Sequence, residues 1–201
     1  MANLMIEKRF RRMGFNVIIG VDEAGRGPLA GPVVAGAVCL KANHFKNRID
    51  DSKRLTKRER EDAFLEIVQK SIFALSVVDE KMIDAFNILN ATRLCMIEAI
   101  LSLLGKVEEK KICILVDGDI KLRISNYPVF NIIKGDAKSK TIASASILAK
   151  VIRDRIMSLY DKVWPHYGFL RHKGYPTSFH RLALKQFGPC PVHRLSFEVS
   201  K

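Results

Sequence analysis

The sequence predicts an α/β fold, a mixed five-stranded sheet flanked by helices. Three observations predict it. Five short apolar runs rich in β-branched residues recur along the chain; longer segments with helical spacing and capping signals lie among them; and no Gly/Ser-rich or Pro-rich linker divides the 201 residues. The last point makes residues 1–201 a single expected domain.

Phe15–Val21 (FNVIIGV) reads as a buried strand ending at Asp22, after which Gly25, Gly27, Pro28, Gly31 and Pro32 interrupt regular structure. Val33–Leu40 and Ser71–Val78 read as the second and third strands. Between them Thr56 and Glu59 form a T-x-x-E capping box that opens a helix running to Lys70. Ile88, Leu89, Leu94, Ile97, Leu101 and Leu104 recur at near-helical spacing, which predicts a helix over Asn87–Leu104. Ile112–Val116 is a fourth strand ending at Asp117, and Val129–Ile133 a fifth. Lys134-Gly135-Asp136 then leads into a helix over Ser139–Lys162, and a last helix starts at Thr177 and stops before Gly188-Pro189.

Lysine and arginine number 34 against 21 acidic residues, a formal charge of +13. Such a chain is drawn to polyanions, nucleic acid first among them, although a solvated basic surface gives the same count. The basic amino terminus lacks the apolar h-region of a secretory signal, and no uninterrupted apolar run has the length of a membrane span. Cys39, Cys95, Cys113 and Cys190 form no C-x-x-C pair and read as free thiols, which fits a reducing cytoplasm. His166, His180 and His193 have no metal-ligand spacing and read as structural or surface groups.

Asp22-Glu23 and Asp117 follow apolar runs at their carboxyl ends, where open α/β sheets present functional groups, and Asp136 lies just past another. Converging carboxylates repel unless cations sit among them. Magnesium-like ions favour oxygen ligands plus substrate phosphate, and a pair of them suits phosphodiester hydrolysis. Neighbouring strand residues face opposite ways, so Asp22 and Glu23 share one site only if the chain bends there. Each acid taken alone reads more readily as a loop or helix-capping residue; strand-end placement of three clusters brings the two readings level, and spacing leaves both open.

The run Asp22–Val34, DEAGRGPLAGPVV, resembles the opening signature of bacterial ribonuclease HII. The resemblance continues in order through Asp51-Ser52-Lys53, Asn87–Thr92 (NILNAT), Val116-Asp117-Gly118, Gly135–Lys138 (GDAK), Ala145–Val151 (ASILAKV), Arg153-Asp154-Arg155, His172–Tyr175 (HKGY) and His193-Arg194. It implies a ribonuclease H-like fold with a helical carboxyl-terminal part. It also implies an endonuclease that hydrolyses the RNA strand of RNA–DNA hybrids and incises 5′ of single ribonucleotides in duplex DNA, leaving 3′-hydroxyl and 5′-phosphate ends. Asp22, Glu23, Asp117 and Asp136 would hold the catalytic Mn2+ or Mg2+ ions.

By the same resemblance, Gly25, Arg26 and Gly27 read the ribose 2′-hydroxyl, and Tyr175 packs at the junction with the next deoxyribose. Lys53, Lys138, Lys150, Arg153 and Lys173, the basic residues inside matched motifs, become candidates for phosphate contacts. A monomer is the family expectation, and no protein partner is legible. Pro176 stands where the family commonly has glycine, and Ser139-Lys140-Thr141 replaces a more apolar stretch, adding charge beside the site.

Three alternatives bear on these residues. A ribonuclease HIII usually carries an extra amino-terminal substrate-binding domain, and here only a short basic segment precedes the first strand. A resolvase-like nuclease would share the acids but lack GRG and HKGY, and a non-enzymatic nucleic-acid-binding protein would leave the acids unexplained. The glycine-rich segment is no P-loop, because GRGPLAGP has no GK[ST].

Overall fold

A computed structural model describes residues 1–197. The strands are β1 (Val17–Ala24), β2 (Val33–Leu40), β3 (Ser71–Val78), β4 (Ile112–Asp117) and β5 (Val129–Ile132), and they form one sheet in the order β3-β2-β1-β4-β5. β2 runs antiparallel to β1 and β3, whereas β4 runs parallel to β1 and to β5. The sheet is therefore mixed and five-stranded, as the apolar runs predict.

The helices are α1 (Met5–Arg12), α2 (Lys57–Lys70), α3 (Glu80–Leu104), α4 (Lys140–Val163), α5 (Phe169–His172) and α6 (Ser178–Phe187). The capping box forms as the sequence implies: Thr56 accepts from Glu59 N–H while the Glu59 side chain accepts from Thr56 N–H. Ser139 caps α4 and Thr177 caps α6. α3 begins earlier than its periodicity suggests. Asp79 caps a first segment, and Asn87, at φ 62°, breaks the helix and caps the second by accepting from Leu89 and Asn90 N–H. By length and mean hydropathy α3 would pass for a membrane span, yet Ile83, Cys95, Met96, Ile100 and Leu103 are buried in a common core with the sheet, as in a core helix.

Strand alternation divides the core. Ile19, Val21, Ile112, Ile114 and Val116 face α3, whereas Ile18, Cys113 and Leu115 pack with Phe10 of α1 and Ile142 of α4 on the opposite face. α2 joins that second layer through Ala63, Phe64 and Ile67. α1, with its basic surface, was not legible in the sequence. Its buried Glu7 docks it: Oε1 accepts from Ser139 Oγ at 2.6 Å and from Thr141 N–H at 2.9 Å. Cys39, Cys95, Cys113 and Cys190 are all free thiols, the last three buried.

Gly20 sets the depth of α4 against the sheet. A methyl group there would lie 2.4 Å from the Thr141 carbonyl carbon and 2.5 Å from Ile142 N, both main-chain atoms that cannot rotate away. Gly20→Ala is expected to cost about 3 kcal/mol through this overlap, measured as a lowered urea midpoint. An unchanged midpoint would show that α4 can rise off β1.

Candidate active site

Asp22 and Asp117 meet because β1 and β4 are parallel neighbours. Their register sets Val21 opposite Val116, so the aspartates stand side by side one residue later at the carboxyl ends of the strands. Both continue the α4-facing rows, Ile18-Gly20-Asp22 and Cys113-Leu115-Asp117. Asp136 arrives from the next strand: after β5, Lys134 adopts a left-handed φ of 55° and turns the chain into a short 3-10 turn, Gly135–Ala137. Asp117 Oδ1 accepts from Gly135 N–H at 2.6 Å and fixes that turn. One carboxylate oxygen from each of Asp22, Asp117 and Asp136 lies within 4.8 Å of the others.

Asp22 and Asp136 are buried at 5% and 7% exposure. Burial, followed by the charges of Glu23 and Asp117, pushes the Asp22 carboxyl well above the usual range; hydrogen bonds from Ser146 and from Glu23 N–H act against this. Burial and the charges of Asp117 and Asp51 raise Asp136, with Lys53 opposing. Burial alone would lower the Lys53 ammonium, but Asp136, Asp51, Asp22 and Asp117 outweigh it and raise it. Lys53 thus lies in the field of the acids. Three hard oxygen donors crowded into a space that penalises their charge fit a divalent cation.

Glu23 is outside the trio that converges within 4.8 Å, yet its carboxyl reaches a hydrogen bond with Asp22 although β1 continues in register through Ala24, which pairs with Val34. Its carboxylate sits 3.5 Å from Arg26 Nη1, and burial raises its pKa while Arg26 opposes. The charges of Asp22 and Asp117 nonetheless couple to it.

The bend comes next, at Gly25 (φ 105°), where a side chain would collide with the Arg153 guanidinium. Arg26 is exposed, and a methyl at Gly27 would touch the Tyr175 ring at 3.7 Å. Tyr175 is 42% exposed, so the GRG segment and the HKGY tyrosine form one surface.

Arg153 corrects an expectation. It is 1% exposed and cannot reach a phosphate: Nε donates to Pro32 O, Nη1 to Lys173 O and Nη2 to Ala30 O, at 2.9, 2.9 and 3.0 Å. The lysines are placed differently. Lys150 pairs with Asp154 at 2.6 Å, and Lys173 Nζ donates to Ser158 Oγ at 2.8 Å. Lys138 Nζ donates to Ile133 O at 2.7 Å. Lys150 and Lys173 line an open groove of about 700 Å³ with Lys57, Lys162, Arg171 and Tyr175. The acids do not line this groove, which Tyr175 borders. The Lys140 ammonium sits 5.5 Å from the centre of the Phe45 ring.

The ribonuclease HII family profile matches residues 19–200. The chain belongs to the ribonuclease HII family. Its members are ribonuclease H enzymes, metal-dependent endoribonucleases. Ribonuclease HII of Ruminiclostridium cellulolyticum is 52% identical over 96% of this chain and 74% of its own length. The crystal structure of ribonuclease H2 from Pyrococcus horikoshii superposes with a TM-score of 0.72 at 28% identity, covering 91% of this chain and 94% of that one. A structure titled Bst-RNase HIII in complex with Mn2+ shares the fold at a TM-score of 0.73 and 17% identity, over 94% of this chain and 70% of that one.

Two features of the site lie outside sequence reasoning. Ser146 of α4 faces Asp22 and lies 3.0 Å from Ser52 Oγ, although ASILAKV carries no chemical signal of that contact. Arg194 is 3% exposed and donates to the carbonyls of Gly25, Arg26 and Gly31, so the last residue of the HR motif grips the GRG loop. His180 and His193 are buried, as a structural reading expects, while the His166 ring lies tilted against Phe187 at 5.1 Å.

Proposed function

We propose that this chain, as a single catalytic domain acting as a cytoplasmic monomer, incises duplex nucleic acid on the 5′ side of ribonucleotides. Its substrates are RNA–DNA hybrids and DNA with embedded ribonucleotides, and its products carry 3′-hydroxyl and 5′-phosphate ends. The observation that carries this reading is the cluster of three carboxylates within 4.8 Å of one another, at the end of the strand that runs on into Gly25-Arg26-Gly27, where a methyl on Gly27 would meet the Tyr175 ring at 3.7 Å.

In this reading Asp22, Asp117 and Asp136 hold the divalent cation, with Glu23 coupled at the rim. Held by these residues, Mg2+ or Mn2+ would supply Lewis-acid activation of water and neutralise charge building on the phosphate. Ser146 orients Asp22, and Asp117 fixes the turn that carries Asp136. Gly25-Arg26-Gly27 brings main chain close to the ribose, where the 2′-hydroxyl separates RNA from DNA, and the Tyr175 ring packs on the sugar that follows. Lys53 lies near the acids, Lys138 behind the Asp136 turn, and Lys150 and Lys173 in the groove that Tyr175 borders, where they meet flanking phosphates.

The test offers the protein three duplexes with Mg2+ or Mn2+: all-DNA, DNA with one ribonucleotide, and RNA–DNA hybrid. Cutting is expected on the latter two only, and equal cutting of all three or cutting in excess chelator would refute the reading. Tyr175→Ala is expected to lower cleavage at the single ribonucleotide by about tenfold more than on the hybrid, through lost stacking.

A further inference from the structure

The carboxyl-terminal part buries two histidines and a cysteine beneath Tyr175, with a third, half-buried histidine beside them, and none of these touches the acids. We propose that His193 and His180 form a directed hydrogen-bond relay that fixes the main chain of Tyr175, which makes His180 a positioning residue for ribose recognition. The proposal rests on Tyr175 reading the junction.

The direction follows from donors that have no choice. Cys190 N–H donates to His193 Nδ1 at 2.9 Å, so that nitrogen carries no proton. The Cys190 carbonyl, 3.2 Å from the same nitrogen, already accepts from His193 N–H. The proton of neutral His193 is therefore on Nε2, which stands 2.9 Å from His180 Nε2. His180 Nε2 must accept, which puts the His180 proton on Nδ1, 3.0 Å from the Tyr175 carbonyl oxygen. Starting from that carbonyl, which can only accept, gives the same two tautomers.

Both rings are buried, and burial pushes both below the ordinary histidine range, His180 to about 4. The relay is thus neutral at neutral pH. His172 reinforces it: Gly174 N–H donates to His172 Nδ1 at 3.1 Å, His172 Nε2 lies 2.6 Å from Tyr167 O, and the ring stacks on His180 at 4.5 Å. Thr177 N–H is a second donor to the Tyr175 carbonyl, at 2.8 Å. A side chain as exposed as Tyr175 has little packing to hold it, so its aim depends on main-chain anchoring of this kind.

The experiment compares wild type, His180→Phe, His180→Asn and Tyr175→Ala by the ratio of cleavage at a single embedded ribonucleotide to cleavage of an RNA–DNA hybrid. Phenylalanine keeps the ring and removes the donor; asparagine offers an amide N–H in place of Nδ1–H. His180→Phe is expected to lower the ratio about tenfold, and His180→Asn to recover most of it. Nitrogen-15 NMR of the wild-type protein reads the tautomers directly, with His180 protonated on Nδ1 and His193 on Nε2. The opposite tautomers overturn the relay whether or not the variants fold. Equal losses on both substrates in His180→Phe reduce His180 to a structural role and overturn the positioning claim. If Tyr175→Ala lowers the ratio and His180→Phe does not, the relay fails alone; if Tyr175→Ala leaves the ratio unchanged, the junction reading fails and the positioning claim with it.

Discussion

Asp22→Asn is expected to lower metal-dependent cleavage by about a thousandfold or more while making the metal-free protein more stable. The two effects share one cause. Asp22 is buried beside Asp117 and Asp136, and the folded state bears the cost of holding their charges together. An amide keeps the acceptor for Glu23 N–H, which lies 2.7 Å from Asp22 Oδ1, and removes one charge from the trio. At an intermediate effective dielectric, relief of that repulsion is on the order of 1–2 kcal/mol. Divalent cation should do the same for the wild type by binding the native state, so Mn2+ raises the wild-type melting temperature and moves that of Asp22→Asn far less. Thermal unfolding with and without Mn2+, beside a cleavage assay, measures both. A variant less stable than the metal-free wild type, or one that still cuts, would remove the acids from the role given them.

Arg153→Met is expected to destabilise the protein by about 3 kcal/mol. The variant keeps an aliphatic stem of similar length but leaves the carbonyls of Ala30, Pro32 and Lys173 without their donor in a buried space. Among the described residues no carboxylate is hydrogen-bonded to this guanidinium, so the three carbonyls are what it is there to hold. Arg194 repeats the arrangement on Gly25, Arg26 and Gly31; burial, and then the like charge of Arg153, brings it down to about 9. Two buried guanidiniums this close repel, and Glu80 offsets part of that cost for both, with Asp154 acting on Arg153 and Asp84 on Arg194. A lysine has one compact ammonium instead of a planar fork, so Arg153→Lys should restore less than half of the loss. Urea unfolding of the two variants tests this, and a full rescue by lysine would show that charge, not the fork, matters.

Much of this was legible in the sequence, for identifiable reasons. β2 and β3 begin and end where the apolar runs do, because turn residues bound them. Asp22 and Asp117 could be read as strand-end acids because each closes a run of β-branched residues. What stayed hidden depends on distant partners. The sequence allowed Glu23 beside Asp22 only on condition of a bend, whereas β1 stays paired through Ala24 and the Glu23 carboxyl still reaches a hydrogen bond with Asp22. Arg153 sits in a motif of charged residues and looks like a phosphate ligand until its three carbonyl partners, far away in sequence, are known. α1 escaped notice because its basic residues mask the few that dock, and the first segment of α3 because Asn87 breaks the periodicity.

The parallel pairing of β1 and β4 also bears on when the chain acquires its chemistry. Asp22 and Asp117 lie nearly a hundred residues apart along the chain, and Asp136 follows later still. Their oxygens converge only after the most remote strand pair has closed in the correct register, a slow event in a fold of high contact order. A nascent or misregistered chain therefore carries the basic charge that attracts nucleic acid but none of the convergence needed to cut it. Cleavage competence arrives as one of the last products of folding, and damage to the sheet extinguishes it before binding is lost.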